Sequence, residues 1–384
     1  MRILQVAYQS RISGGEKVLY DLAVSLRARG HELLAVCPEP GQLPESLEAE
    51  GVRAKIIPFR KTYDLAAAGR LSTFIRREKV EILHSHSMLT NILSRIAGRW
   101  ARVPVSVSTE HLTMELARGG RGEGLSERLK AAYYRRLDNF TSRLGDRVIA
   151  VSAAVRADLL EQGMDPRRVT VIRNGIEIPP LDPGAGRRAR AELGIPEETP
   201  VIGTVGRLSP QKDYPTLLEA AAVVARACPE AVFLVLGEGD LRPALEKRAE
   251  QLGLGERFRF LGYRANVMEA VAAFDIFALS SLWEGLPLAV LEAMALARPV
   301  VATAVPGTAE ALAAGGAGFT VPLKDHNALA ERIIELVRDP GKAHRMGAEG
   351  RRQALGGFSR ERMVDDHEAL YSRLLEGGFR SRYR

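Results

Sequence analysis

"RILQVAYQSRISGGEKVLYDLAVSLRARG", residues 2–30, decides the fold. A short apolar run from Arg2 to Tyr8 leads into a polar turn with two adjacent glycines, Gly14 and Gly15. From Glu16 onward the apolar residues recur at helical spacing. Strand, turn and amphipathic helix form one unit of a parallel sheet, and the chain repeats that unit. "HELLAVC" precedes "LPESLEAEG", "RAKIIPF" precedes "DLAAAGRLSTFIRREK", and "VEILHSHS" precedes "TNILSRIAGRWAR", before a further strand, "VPVSVSTEH". Strands alternating with helices predict an α/β protein with a doubly wound parallel sheet.

Residues 120–147 break this rhythm: "GGRGEG" reads as a loop and "SERLKAAYYRRLDNFTSRLG" as a long basic helix. The alternation resumes with "DRVIAVS" and "RVTVIRNGI". Then "IPPLDPGAG", residues 178–186, places three prolines and two glycines in nine residues, a composition that suits a linker. The second half repeats the scheme from "PVIGTVG" and "DYPTLLEAAAVVARA" to "NALAERIIELVRD", and Ser359 can cap a last helix through residue 375. The expected organisation is a domain over residues 1–178, a linker over 179–187, a second domain over 188–358 and a closing helix over 359–384. Doubly wound folds bind ligands at the carboxyl edges of their strands, so two such domains predict one site in a cleft.

Composition narrows the function. The chain has 384 residues, 46% apolar and 26% charged, with no low-complexity tract, so it reads as an ordinary globular protein of two domains. No apolar run reaches the ~18 residues a membrane span needs, and the N-terminus reads as a strand instead of a secretion leader. Cys37 and Cys228 are solitary, without metal or disulfide spacing, and the cytoplasm is the expected compartment. The charge is uneven: residues 1–180 carry 28 Lys and Arg against 20 Asp and Glu, whereas residues 181–384 carry 26 against 27. A basic half suits nucleic acid, anionic lipid or a phosphorylated substrate, and its sign alone does not separate them.

Several stretches carry chemistry. Gly14 and Gly15 let free backbone N–H groups approach an anion at a helix start, although a tight turn explains them equally well. No GxGxxG or Walker A sequence occurs, which gives a nicotinamide cofactor little support. Strand "PVIGTVG" ends at Gly206 and runs into "RLSPQKDYPTLLEA", so Arg207 and Lys212 share a strand-end loop where a diphosphate needs charge compensation. In "SLWEGLPLAVLEAMA", residues 281–295, Pro287 fits the first turn of a helix, which places Glu284 in the loop before it and Glu292 on it. Glu292 has apolar or small neighbours on both sides, so its carboxylate needs donors, either from the fold or from ligand hydroxyls. His84 and His86 alternate on a strand with both rings on one side, for which packing is favoured over metal binding. Asn174 in "RNGI" reads equally as a site residue or a turn.

Taken in order, "SGGEK", "STEH", "IAVS" with "VIRNGI", "GRLSPQKDYPTLLEA", "LGEGD", "FLGYR", "SLWEGLPLAVLEAMA" and "VVATAVPGTAE" resemble the retaining glycosyltransferases of family 4, which have the GT-B fold. The resemblance implies two Rossmann-like domains facing across a cleft, with the closing helix crossing back to the first. It implies that Glu292 binds the ribose of a nucleotide sugar, while Glu284 and the backbone at Gly285, Leu286 and Pro287 hold the donor sugar and phosphate. Arg207 and Lys212 would neutralise the diphosphate beside Gly206, assisted by Gly14 and Gly15. His111 would approach the donor sugar, and the backbone at Tyr263 and Arg264 would receive the base. Transfer would need no metal or other cofactor, with same-face attack instead of the acid and nucleophile of a glycosidase.

Two departures matter: Asn266 stands where an acidic residue is common in the family, and Leu112 follows His111 where Asp or Gly is common. They leave the base and the donor sugar open, with a UDP-sugar favoured and a GDP-sugar next. The acceptor expected on the basic half is a lipid-linked or envelope glycan, with the basic helix touching anionic lipid at the inner face of the membrane. Glu127 and Asp138 dilute that helix's charge, and a small soluble acceptor stays open. A nucleotide-sugar epimerase is the alternative enzyme, and nucleic acid is not an expected partner.

Overall fold

The computed structural model describes residues 1–59, 64–112, 125–264 and 266–382. The loop read at "GGRGEG" lies outside them. Two units divide the chain, one from Met1–Gly175 with Arg360–Arg384 and the other from Ile176–Ser359.

In the first unit, β1 (Arg2–Val6), α1 (Gly14–Ala28), β2 (Glu32–Cys37), α2 (Gln42–Ala49), β3 (Arg53–Ile56), α3 (Leu65–Arg77), β4 (Ile82–His86), α4 (Met88–Ala101) and β5 (Val105–Glu110) alternate as the sequence predicts. The described chain continues with α5 (Leu125–Ser142), β6 (Arg147–Ala150), α6 (Ala153–Glu161) and β7 (Val169–Val171). Its seven strands pair in the order β3-β2-β1-β4-β5-β6-β7, all parallel.

The second unit holds α7 (Ala185–Glu192), β8 (Val201–Val205), α8 (Tyr214–Ala227), β9 (Val232–Leu236), α9 (Arg242–Gln251), β10 (Phe258–Gly262), α10 (Val267–Val271) and β11 (Ile276–Leu279). It closes with α11 (Leu288–Ala295), β12 (Val300–Thr303), α12 (Pro306–Ala311), β13 (Gly318–Val321), α13 (His326–Arg338) and α14 (Pro340–Gly357). Its six parallel strands run β10-β9-β8-β11-β12-β13. The residues read as a linker lie within this unit, and α7 begins at Ala185 inside that stretch.

The last helix, α15 (Arg360–Arg382), extends beyond the residue 375 expected from sequence and belongs to the first unit. Arg29 at the end of α1 reaches both Asp365 and Glu368 at 2.7 Å, and His31 reaches Glu368 at 2.8 Å. These exposed or half-exposed ion pairs are each worth about 0–1 kcal/mol. Burial of Val364, Met363, Leu370 and Tyr371 supplies the larger share of the attachment.

Each strand order reverses once, between β1 and β4 in the first sheet and between β8 and β11 in the second. At such a reversal the two following loops part, leaving room for a ligand beyond the carboxyl ends of the strands. Strands of a parallel sheet are covered on both faces and read as apolar runs, as β9, "VFLVL", does. Strands β4 and β5, "ILHSH" and "VSVSTE", are buried along their whole length and yet more than half polar. Those polar groups need internal partners.

Candidate active site

In the second unit the reversal sets the loop after β8 beside the loop after β11. Lys212 Nζ donates to Glu284 Oε1 at 2.6 Å across that junction, with the two side chains only 14% and 8% exposed. Ser281 Oγ donates to the same Glu284 oxygen at 2.7 Å. The loops are laced further: Gln211 donates to the Trp283 carbonyl at 2.9 Å, Leu282 N to the Gln211 carbonyl at 2.8 Å, and Ser280 Oγ to the Lys212 carbonyl at 2.7 Å. Thr303 Oγ1, from the end of β12, holds the Ser281 carbonyl at 2.5 Å. Asp213 takes a left-handed backbone, φ 44°, where the loop turns into α8.

Glycines make this packing possible. A Cβ on Gly206 would lie 2.9 Å from Lys212 Cε, so any side chain there displaces the lysine stem. A Cβ on Gly307 would lie 2.4 Å from the Gly285 carbonyl oxygen, so the Glu284 loop rests directly on the first turn of α12. Tyr214 Oη donates to the Gly206 carbonyl at 2.8 Å, and burial, followed by the nearby Glu284 charge, raises its pKa.

Arg207 is exposed, and among the described residues no ion pair or side-chain hydrogen bond engages its guanidinium. Gly285, Leu286 and Pro287 are buried. Pro287 is the N-cap of α11, with ψ 116°, one place ahead of the first-turn position expected from sequence. Glu292 lies on α11 between buried Leu291 and Ala293 but is itself half-buried, less enclosed than its neighbours suggested. Tyr263 and Arg264 follow β10 and are exposed, as is Asn266. The second unit therefore brings Gly206, Lys212 and Glu284 into contact, continues from Glu284 into Gly285, Leu286 and Pro287, and holds Arg207, Glu292, Tyr263 and Arg264 on neighbouring elements.

In the first unit the corresponding reversal sets the turn after β1 beside the ends of β4 and β5. A Cβ on Gly15 would lie 3.2 Å from His111 Cδ2, so the start of α1 rests against that imidazole. A Cβ on Gly14 would meet nothing within 4 Å. Glu16, buried in the first turn, accepts from Ser13 Oγ at 2.5 Å, placing a carboxylate at the positive end of the helix dipole. His111 Nε2 lies 3.1 Å from His86 Nδ1, and His86 Nε2 lies 2.8 Å from Gln5 Oε1. The rings of His84 and His86 do share one side of β4, with centroids 4.2 Å apart. Sequence reasoning missed Gln5, Thr109, His367 and Tyr371 as members of this cluster. A polar residue within the apolar run "ILQV" was the available signal for Gln5. Among the described residues, no group of acidic, cysteine or histidine side chains is arranged to hold a metal.

Two parallel sheets, each with a single reversal of strand order and a polar junction at that reversal, define the class of doubly wound, two-domain α/β proteins. The model of the Glycosyltransferase Family 4 domain matches residues 12–178, and that of Glycosyl transferases group 1 matches residues 187–353. A D-inositol 3-phosphate glycosyltransferase of Corynebacterium urealyticum is 32% identical over 76% of this chain and 70% of its own. The UDP-Gal:alpha-D-GlcNAc-diphosphoundecaprenol alpha-1,3-galactosyltransferase of Escherichia coli is 28% identical over 97% of this chain and 96% of its own. Among solved structures, Anabaena HepE in complex with UDP superposes with a TM-score of 0.84 at 23% identity, covering 97% of this chain and 100% of that one. The chain belongs to the family 4 glycosyltransferases and has the GT-B type of fold.

Proposed function

We propose that this glycosyltransferase moves a hexose from a UDP-sugar, with a GDP-sugar next in order, to a hydroxyl of a lipid-linked or envelope glycan, with retention and without a metal. The observation that carries the reading is the enclosed Lys212–Glu284 pair beside exposed Arg207 at the reversal of the second sheet. A departing diphosphate develops charge as the glycosidic bond breaks, and fixed cations in an enclosed site stabilise that charge. Lys212 and Arg207 are suited to that work, Glu284 to gripping sugar hydroxyls, Glu292 to the ribose, and His111 to the donor sugar. The acceptor hydroxyl attacks the face the diphosphate leaves, and its proton passes to the departing phosphate.

The full-length likeness to an enzyme named for a diphosphoundecaprenol-linked acceptor supports the lipid-linked reading. So does α5. Leu129, Tyr133, Arg136 and Phe140, with Arg143 and Leu144 just beyond the helix end, are all exposed at spacings of three and four, which puts them on one stripe. Asp138, which dilutes the helix's charge on paper, is buried on the opposite side and paired with Arg95 at 2.5 Å. A stripe of leucine, aromatic and arginine side chains suits an anionic lipid surface.

The test is transfer from labelled UDP-galactose, UDP-glucose and GDP-mannose to GlcNAc-diphosphoundecaprenol in phosphatidylglycerol vesicles, with and without EDTA. An α-linked product from a UDP-sugar, insensitive to EDTA, is expected, and Phe140→Glu should slow transfer on vesicles several-fold more than in detergent. Conversion of the donor without an acceptor would point to an epimerase, and transfer to inositol phosphate alone would point to a soluble acceptor.

A further inference from the structure

Four of the seven histidines in the chain, His84, His86, His111 and His367, gather in the first unit with Gln5, Thr109 and Tyr371. Two hydrogen-bonded strings run through the cluster. One joins Tyr371 Oη to His84 Nδ1 at 2.6 Å and His84 Nε2 to Thr109 Oγ1 at 2.7 Å. The other joins Gln5, His86 and His111.

The second string has a direction. An amide oxygen only accepts, so Gln5 Oε1 requires a proton on His86 Nε2. His86 is fully buried, and desolvation, reinforced by His84, His111 and His367, keeps it neutral by driving its pKa well below the usual histidine value. Its Nδ1 is therefore a lone pair, and the hydrogen at the 3.1 Å contact must belong to His111 Nε2. Burial and His367 lower His111 to about 4, so its remaining nitrogen, Nδ1, carries no proton. Among the described residues nothing occupies that nitrogen. The Gln5 amide presents its oxygen to His86, and its Nε2 is buried without a hydrogen-bond partner.

We propose that Gln5 and His86 are positioning residues that fix His111 in the Nε2–H tautomer, so that Nδ1 is held as an acceptor for a hydroxyl of the donor sugar. This rests on the assignment of His111 to the donor. A sugar hydroxyl that donates its hydrogen bond to Nδ1 keeps its own lone pairs for other donors, so the tautomer selects hydroxyl over an acceptor-only group at that position. Gly15 completes the arrangement, because its missing side chain lets the helix start press on the ring and limit its rotation.

The tautomer is read without any donor present. In the full-length protein labelled with 15N-histidine, long-range 1H–15N spectra should show His111 protonated at Nε2 and bare at Nδ1 at pH 7, with the His111→Gln spectrum giving the assignment. Gln5→Leu, close in volume, should mix the His111 tautomers and lower kcat/KM about tenfold. Gln5→Glu keeps an accepting oxygen, so it should restore the tautomer while its charge moves the acid limb of the kcat/KM profile to higher pH. A proton on Nδ1 in the unaltered protein would overturn the proposal, as would an unchanged His111 spectrum in Gln5→Leu. Altered tautomers with full turnover would overturn it through the donor assignment, leaving the rest of the site standing.

Discussion

The two sheet reversals solve the same geometric problem with opposite chemistry. At the reversal of the second sheet a lysine and a carboxylate face each other across two loops, shut almost entirely from water. At that of the first, neutral imidazoles, a threonine and an amide at the strand ends hydrogen-bond among themselves and with a phenol from the last helix. Charge placed on loops can change partners when an anion arrives. Neutral groups anchored on strands and on a packed helix hold a fixed orientation and tolerate burial without counter-ions.

The largest effect should come from breaking the charged junction. Lys212→Ala removes the cation and strands the Glu284 carboxylate, which cost about 3 kcal/mol when one partner of an enclosed pair is deleted. The same change should lower kcat on the order of a thousandfold, if the charge meets the leaving diphosphate. Lys212→Met combined with Glu284→Gln should recover most of the denaturation midpoint and none of the turnover. Recovery of both would mean the pair is structural. An unchanged midpoint in Lys212→Ala would mean that Ser281 and Gln211 satisfy Glu284 unaided.

The neutral junction should instead appear as a pH limit confined to its own unit. His84, His86, His111 and His367 are held uncharged chiefly by burial, with His111 and His367 lowered to about 4. An unfolded histidine titrates near 6.5, so as pH falls below that value the unfolded chain binds protons the folded unit refuses. The contribution of a depressed pKa is present above 6.5 and lost as pH drops toward 4. Glu110 limits the other side: burial, then Asp138, raises it to about 8, against the opposing pull of Arg95 and Asn91. A raised carboxyl contributes fully below its unfolded value of 4.5 and loses that contribution as pH rises through about 8. The chain's two tryptophans, Trp100 and Trp283, report one unit each. From pH 7 to pH 5 the melting point followed by Trp100 in Trp283→Phe should fall by roughly 5–10 °C, and that followed by Trp283 in Trp100→Phe by less. Glu110→Gln should raise stability at pH 8 by on the order of 2 kcal/mol and leave it unchanged near pH 4. Equal losses by both tryptophans would remove the contrast between the units.

How much of this was legible in the sequence depends on the distance each feature spans along the chain. Strand and helix order, the loops carrying Lys212 and Glu284, and the shared side of His84 and His86 follow from local periodicity and turn chemistry. The contact between Lys212 and Glu284 spans 72 residues and exists because β8 pairs with β11, a fact of sheet order that no local pattern contains. His84 meets Tyr371 across 287 residues because the last helix returns to the first unit. Asp138 shows the converse case. As a letter in a basic helix it weakens a cationic face, and only its pairing with Arg95 removes it from that face.

The smallest expected effect separates two glycines that the sequence treats alike. Alanine at residue 15 would push against His111 at 3.2 Å, whereas alanine at residue 14 would point into open space. Both sit in the first turn of α1, where alanine is favoured over glycine by up to ~1 kcal/mol, so neither change should cost much stability. Gly15→Ala should lower kcat/KM about threefold by displacing the imidazole, and Gly14→Ala less than twofold. Glu16 already supplies a negative charge at that helix start, which reduces what a second anion gains there. If Gly14→Ala instead raised KM for the donor more than Gly15→Ala, the helix start would be receiving the donor's phosphate directly, and the neutral junction would share in the work assigned to the charged one.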